Sequence, residues 1–64
     1  MKHDRLYNLY LTNSIYKEAF VGSWVVQKCA ETVAGYYLDR GAHSMRVEVI
    51  NTDTMETIGE YEIV

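Results

Sequence analysis

Between Trp24 and Arg40 the apolar residues recur at the spacing of an α-helix, and no other feature constrains the fold of this chain as much. At about 100° per residue the segment divides into two halves. The apolar half contains Val25, Val26, Cys29, Ala30, Val33, Ala34, Tyr36 and Tyr37, and the polar half contains Gln27, Lys28, Glu31, Thr32 and Asp39. Ser23 suits the N-cap, and Gly41 suits the left-handed position that ends a helix. We therefore predict one amphipathic helix whose valine and alanine side packs on a second layer.

Alternating apolar and polar residues predict strands on both sides of this helix. Leu6 to Thr12 alternates with the period of two that is typical of a half-buried strand. Met45 to Ile50 and Thr57 to Val64 alternate in the same way and are joined by the polar segment 51–56. These two segments therefore indicate a hairpin that closes the chain. In its loop, Met55 stands about where such connections usually carry a glycine in the left-handed conformation.

The segment from Ile15 to Val21 is the least determined by pattern. Asn13-Ser14 is typical of a turn. A second strand could follow it and run antiparallel to the first, with Ile15, Ala19 and Val21 facing inwards. Lys17-Glu18-Ala19 favours a helix instead. The predicted fold is therefore α+β, one helix on a small antiparallel sheet in the order β-β-α-β-β, and β-α-β-β is the alternative.

The length and composition of the chain limit its domain count, the ways in which it can be stabilised and its cellular location. The 64 residues predict a single domain, 1–64, with residues 1–4 frayed. So short a chain buries only about 60% of its unfolded surface. Its one cysteine, Cys29, excludes an internal disulfide, so we expect a homodimer to supply further stability. The chain has no apolar run long enough for a membrane span and no signal-peptide core, which predicts a cytoplasmic location.

No residue pattern predicts catalysis or a cofactor. His3, Cys29 and His43 fall short of a closed zinc site, and the chain carries no phosphate loop or nucleophile elbow. We predict that Cys29 is a buried, inert thiol, because it lies on the apolar half of the helix. The chain is therefore predicted to be neither an enzyme nor a metal protein.

Two surfaces are candidates for binding a partner. Tyr10, Tyr16 and Phe20 are expected on the sheet face away from the helix, and Glu48, Glu60 and Glu62 on the solvent face of the closing hairpin. The carboxylates either keep that face solvated or dock a basic partner. The aromatic residues suit a protein interface, or they stack the bases of a nucleic acid. The net charge of −3 disfavours direct nucleic-acid binding.

The second candidate surface is a stripe along the outer, polar half of the helix. Its members are Trp24, Gln27, Lys28, Glu31, Gly35 and Leu38. A glycine inside a helix allows the close approach of another backbone, and an exposed tryptophan is a strong anchor for a partner. Alternatively, Trp24 folds down over the edge of the sheet and Leu38 covers its other end.

In its compact acidic chain, its six tyrosines and its closing hairpin from Met45 to Val64, the protein resembles short phage-encoded inhibitors of host machinery such as anti-CRISPR proteins. The resemblance implies a chain that binds and blocks a larger factor, and it transfers no functional residue. We therefore predict a non-catalytic interaction module, acting as an inhibitor of a larger protein or nucleoprotein that has a basic surface. A small regulatory domain that binds nucleic acid is the alternative.

Overall fold

The computed structural model of the chain describes residues 4–64. The elements are β1 (Arg5–Thr12), β2 (Ala19–Trp24), α1 (Gln27–Asp39), β3 (Ser44–Asn51) and β4 (Glu56–Ile63). The predicted order β-β-α-β-β is therefore confirmed against its alternative. The fraying predicted for residues 1–4 lies outside the described residues except at Asp4, whose carbonyl accepts a hydrogen bond from the Thr52 N–H at 3.1 Å. His3 also lies outside them.

The four strands form one antiparallel sheet in the order β2-β1-β3-β4. Each hairpin, β1–β2 and β3–β4, supplies one central strand and one edge strand. The two central strands pair along their whole length, from Arg5 opposite Asn51 to Thr12 opposite Ser44. The edges of the sheet are consequently β2 on one side and β4 on the other.

The hydrophobic core lies between the sheet and α1, which packs on β1, β3 and β2. Leu9, Met45 and Val47 of the central strands are fully buried there. Ala30 and Ala34 are the buried residues of the helix. Their short side chains let the helix approach the larger side chains of the sheet closely.

The helix begins later than the sequence predicts. Ser23 is not its N-cap and Trp24 is not in its first turn, because both continue β2 and pair with Asn8 and Tyr7. Val26 takes the N-cap position with an extended backbone and no side-chain hydrogen bond. Pairing with β1 gives the backbone groups of Ser23 and Trp24 hydrogen-bonding partners, and β-branched valine favours extended backbone.

The second strand also begins later than predicted, at Ala19 instead of Ile15. The side-chain oxygen of Asn13 accepts hydrogen bonds from the backbone N–H groups of Ile15 and Tyr16, at 2.8 and 2.6 Å. This local turn competes with strand pairing. Ile15 is 78% exposed, so the prediction that it faces inwards is wrong.

Two predictions about special backbone positions are confirmed. Gly41 has a φ of 102° after the last turn of α1, and Met55 has a φ of 60° in the β3–β4 loop. The loop therefore holds a side chain in a conformation that favours glycine. Met55 is also exposed.

The helix is rotated about its axis relative to the predicted orientation. Ala30 and Ala34 of the predicted apolar half are buried, but Val26, Cys29 and Tyr36 of the same half are exposed. The prediction of a buried Cys29 is therefore wrong. The apolar half of the helix is broader than the part that this four-stranded sheet covers, and the excess faces solvent. Within residues 4–64 no helix has both the length and the apolar character that crossing a lipid bilayer requires.

Candidate functional site

The sheet face away from α1 carries two aromatic residues at the β2 end. Tyr10 and Phe20 are opposite each other in the β1–β2 ladder, and their rings meet edge to face with centroids 5.6 Å apart. Phe20 is 61% exposed. The predicted placement of these two residues on one face is thus observed, and Phe20 presents most of its ring to solvent.

Arg46, on β3, connects the aromatic residues to the carboxylates of this face. Its guanidinium donates two hydrogen bonds to the carboxylate of Glu18, at 2.8 and 2.9 Å, and one to Glu60 at 3.1 Å. It also lies over the ring of Tyr10, 4.4 Å from the centroid. The bond from Arg46 lowers the pKa of Glu18, and the Glu18 carboxylate raises the pKa of Arg46. Both groups therefore stay charged over a wide pH range.

Glu48, on the same face as Arg46, is held by two further hydrogen bonds. It accepts hydrogen bonds from the Thr57 hydroxyl at 2.9 Å and from the Tyr10 hydroxyl at 3.0 Å. The Thr57 bond is the main cause of a lowered Glu48 pKa, and the Tyr10 bond adds to it. Burial, followed by the bond to Glu48, raises the pKa of Tyr10. Glu48 is therefore held ionised in one orientation.

The carboxylates of this face crowd one another across β3 and β4. Glu48 lies directly opposite Glu60, and Arg46 lies opposite Glu62. Like charges at opposed positions of an antiparallel pair destabilise the sheet. With Glu18, the face holds four carboxylates around the one guanidinium of Arg46. We call this surface, made of Tyr10, Glu18, Phe20, Arg46, Glu48, Glu60 and Glu62, the acidic face.

Sequence reasoning identified the two aromatic residues of the acidic face and three of its four glutamates, but it missed Glu18 and Arg46. Arg46 could have been found, because it is two residues from Glu48 in the same strand and so shares its side of the sheet. Glu18 lies in the β1–β2 connection. No periodicity applies there, and only the folded loop places it beside Arg46.

Tyr16 does not belong to the acidic face. It is exposed in the β1–β2 connection, where it lines a hollow of about 560 Å³ near the end of α1. The hollow is also lined by Phe20 of the acidic face and by Leu11, Tyr37 and Arg40. The Arg40 guanidinium lies 3.6 Å from the centroid of the Tyr36 ring, so it is already engaged with an aromatic face of its own helix.

Part of the predicted helix stripe ties α1 to β4. The amide of Gln27 donates a hydrogen bond to the Tyr61 hydroxyl at 3.0 Å, and that hydroxyl donates one to Glu31 at 2.6 Å. Burial, followed by the Glu31 bond, raises the pKa of Tyr61. Gln27 and Glu31 are exposed, but their polar groups already have partners within the chain.

The other stripe residues do not form one surface with Gln27 and Glu31. Trp24 and Leu38 are half-buried and pack against the core, as in the alternative interpretation that they cover the sheet. Lys28 is exposed. Apart from its chain neighbours and the nearby helix backbone, a methyl group at Gly35 would meet no atom within 4 Å, so no other part of the described chain uses the space that this glycine leaves. Its predicted role in close approach by another backbone stays a prediction.

Trp24 instead belongs to the β2 side of the molecule. Its indole lies over Gly22, where an added Cβ would be 3.0 Å from the nearest ring carbon. It lines a largely apolar hollow of about 510 Å³ together with Val26, the N-cap residue, and with Lys28, Cys29, Thr32 and Val33 of α1. The sequence did not predict this hollow, since Trp24 was placed on the helix, and Val26, Cys29 and Val33 were placed on the half of the helix that faces the core.

No group of three or more histidine, cysteine, aspartate or glutamate side chains within residues 4–64 is arranged to hold a metal ion. Cys29 is exposed near the start of α1, and His43 is exposed just before β3. The candidate binding features of the described residues are therefore two surfaces: the acidic face on one side of the sheet and the hollow beside β2. Comparison of the chain with protein-family models, with curated proteins and with solved structures finds no match.

Proposed function

We propose that the protein is a non-catalytic interaction module whose acidic face binds a basic surface of a larger protein or nucleoprotein. The observation that carries the proposal is the direct opposition of Glu48 and Glu60 on an open sheet face. A sheet that only needed solubility would gain nothing from placing two carboxylates at opposed positions. Breaking a local rule of this kind is expected at functional sites.

A basic partner would relieve this repulsion. Arg46 donates hydrogen bonds to Glu18 and Glu60. One guanidinium faces the four carboxylates of the acidic face, so negative charge remains there after this internal pairing. Thr57 and Tyr10 hold the Glu48 carboxylate in place. A guanidinium or ammonium group of the partner would then meet a preorganised carboxylate and would lose little entropy in ordering it.

Phe20 supplies an apolar anchor next to these charges. Aromatic residues beside charged groups are typical of the residues that dominate binding energy in protein interfaces. Its 61% exposure leaves most of the ring available to a partner. The combination favours a protein surface rich in arginine or lysine with an apolar pocket.

The observations give less support to the alternative, base stacking by Tyr10, Tyr16 and Phe20. Arg46 covers one side of the Tyr10 ring, and Tyr16 lies in the β1–β2 connection and not on a strand of the sheet. The surrounding carboxylates would repel phosphates. The same carboxylates would instead let the protein compete with nucleic acid for a basic groove, which is how we propose that it acts as an inhibitor.

The test compares two variants with the same change of charge. Glu62→Lys alters the acidic face, and Asp39→Lys alters the exposed end of α1. Binding to an arginine-rich peptide is measured by calorimetry at two salt concentrations, and capture from lysate is compared by quantitative mass spectrometry. We expect Glu62→Lys to weaken peptide binding and to lose captured proteins that Asp39→Lys retains. Equal binding by the two variants would exclude the acidic face as the binding surface.

The homodimer predicted from chain length is part of this proposal. Only seven hydrophobic residues are buried in the part of the chain that the structure describes, and several large apolar side chains stay in solvent. A small core of this kind gains stability when a second copy covers exposed apolar surface. A dimer would also present two acidic faces to one larger partner, which raises the effective affinity.

A further inference from the structure

We propose that the second copy binds along the β2 side, through the open edge of β2 and the adjoining flank of α1. We define this flank by Val26, Cys29, Val33 and Tyr36. The inference rests on the self-association in the proposed function and is independent of the basic partner. It assigns the apolar hollow between Trp24 and the flank to the interface between two copies.

The two edge strands of the sheet, β2 and β4, differ in how well they are protected against pairing with another chain. An edge strand offers unpaired backbone groups to another chain, and natural proteins usually block such pairing with charged residues. β4 contains Glu56, Glu60 and Glu62, whereas β2, Ala19–Trp24, contains no charged residue and no proline. Self-pairing of β4 would bring glutamates close to their own copies. Self-pairing of β2 carries no such penalty.

A bulge limits how much of β2 can pair. The register shifts between Leu9 and Tyr10, so that Gly22 and Phe20 are their partners and Val21 has none in the ladder. A bulge bends its strand and increases the local twist. Backbone pairing with a second β2 is therefore short, and side-chain contacts must supply most of the binding energy.

The flank of α1 supplies those contacts. Cys29, Val33 and Tyr36 follow one another along a ridge of the helix, and the hollow joins Val26, Cys29 and Val33 to Trp24 of β2. Tyr36 is 52% exposed and Val26 is 44% exposed. The opposite side of the helix differs, because its Gln27 and Glu31 are bonded to Tyr61 of β4. The uncovered apolar part of the helix thus lies on the side where the sheet edge is unprotected.

A second copy fits this surface for electrostatic and geometric reasons. In a two-fold dimer the same patch meets itself, so the patch must be self-complementary. The residues that define the flank and those of β2 carry no charge, and apolar groups complement apolar groups. Two exposed cations border this surface, Lys28 at the hollow and Arg40 over the Tyr36 ring, and both reach solvent. The carboxylates of Glu48, Glu60 and Glu62 lie on β3 and β4, on the side of the sheet away from α1, so pairing along β2 does not bury them. Joining two β2 edges also leaves both acidic faces on the same side of the extended sheet, where one partner can contact both.

The test places charges at the centre of the flank. Cys29 is exposed in the monomer, and glutamate and arginine are both good helix formers, so Cys29→Glu and Cys29→Arg should leave the monomer folded. Cys29→Ser is the uncharged control. Sedimentation is measured from micromolar to millimolar concentration with a reducing agent present, and folding is checked by circular dichroism.

We expect dimers for the wild type and for Cys29→Ser, and an association weakened about a hundredfold or more for each charged variant, because each charge meets its own copy. An equimolar mixture of the two charged variants should restore association as a heterodimer. A monomeric wild type, charged variants that associate like the wild type, or a mixture without heterodimer would each overturn the inference.

The experiment separates this inference from the acidic-face proposal. Cys29→Glu and Cys29→Arg should each bind the arginine-rich peptide as tightly per chain as the wild type does, whereas Glu62→Lys should lose peptide affinity and remain dimeric. Failure of the interface and failure of the acidic face therefore give different results.

Discussion

Gly22→Ala tests how closely Trp24 packs on the β2 edge. A Cβ at position 22 would lie 3.0 and 3.3 Å from two carbon atoms of the indole. Carbon atoms in van der Waals contact prefer about 3.5–4.0 Å, so the ring must move outwards by about half an ångström or more. Overpacking of this kind costs about 1–3 kcal/mol. For a domain of this size we expect the thermal midpoint to fall by roughly 5–20 °C.

Two readouts distinguish this cause from a general loss of stability. Thermal unfolding followed by circular dichroism gives the change in midpoint. Trp24 is the only tryptophan of the chain, so its fluorescence emission reports the indole alone. At a concentration low enough for the chain to be monomeric, we expect emission from folded Gly22→Ala to shift to longer wavelength, because the displaced ring gains contact with water.

Gly59→Ala is the matched control, a glycine replaced by alanine in the other edge strand. Apart from its two chain neighbours, no residue has an atom within 4 Å of the Cβ that it would add, and Gly59 does not have a positive φ. The unfolded chain loses conformational freedom, so we expect a change between zero and about 1 kcal/mol in favour of folding. If Gly22→Ala were as stable as Gly59→Ala and kept the wild-type emission, the packing of Trp24 over Gly22 would be refuted.

Three further predictions concern the β3–β4 loop, the Tyr61 hydroxyl that joins β4 to α1, and the Glu48 carboxylate of the acidic face. Met55→Gly should raise the free energy of unfolding in urea by up to about 1 kcal/mol, because glycine adopts a φ of 60° without steric cost; no gain would contradict the strain. Tyr61→Phe removes the hydroxyl that joins Glu31 of α1 to β4 and should lower the free energy of unfolding by about 0.5–1 kcal/mol. An unchanged free energy of unfolding would mean that this hydrogen bond does not stabilise the fold. The folded-state pKa of Glu48 lies below its unfolded value of about 4.3, so its contribution to stability is present above that pH and is lost as the pH falls through the folded pKa. Thr57→Val removes the main cause of this shift, and its thermal midpoint should change less than that of the wild type between about pH 5 and pH 3; equal slopes would exclude the Thr57 bond as the cause.

Local pattern determined the order of the elements. The alternation in Leu6 to Thr12 and the spacing of Ala30 and Ala34 follow from which side chains can be buried together along one strand or one helix. The left-handed positions of Gly41 and Met55 were predictable for the same reason, since a turn of given length imposes its backbone conformation. Such features depend on neighbours in sequence, and they needed no knowledge of the partner layer.

Only the tertiary structure decided where the helix begins and which way it faces. Ser23 and Trp24 have side chains suited to a helix start, but β1 offers them ladder partners, and those bonds exist only once the sheet has formed. The width of the sheet under α1 then decides which part of a broad apolar half is buried, so Ala30 faces the core and Cys29 faces solvent. The contact of Arg46 with Glu18 likewise joins residues that are distant in sequence. Contacts between distant segments depend on how whole layers pack, and no residue spacing along one segment encodes them.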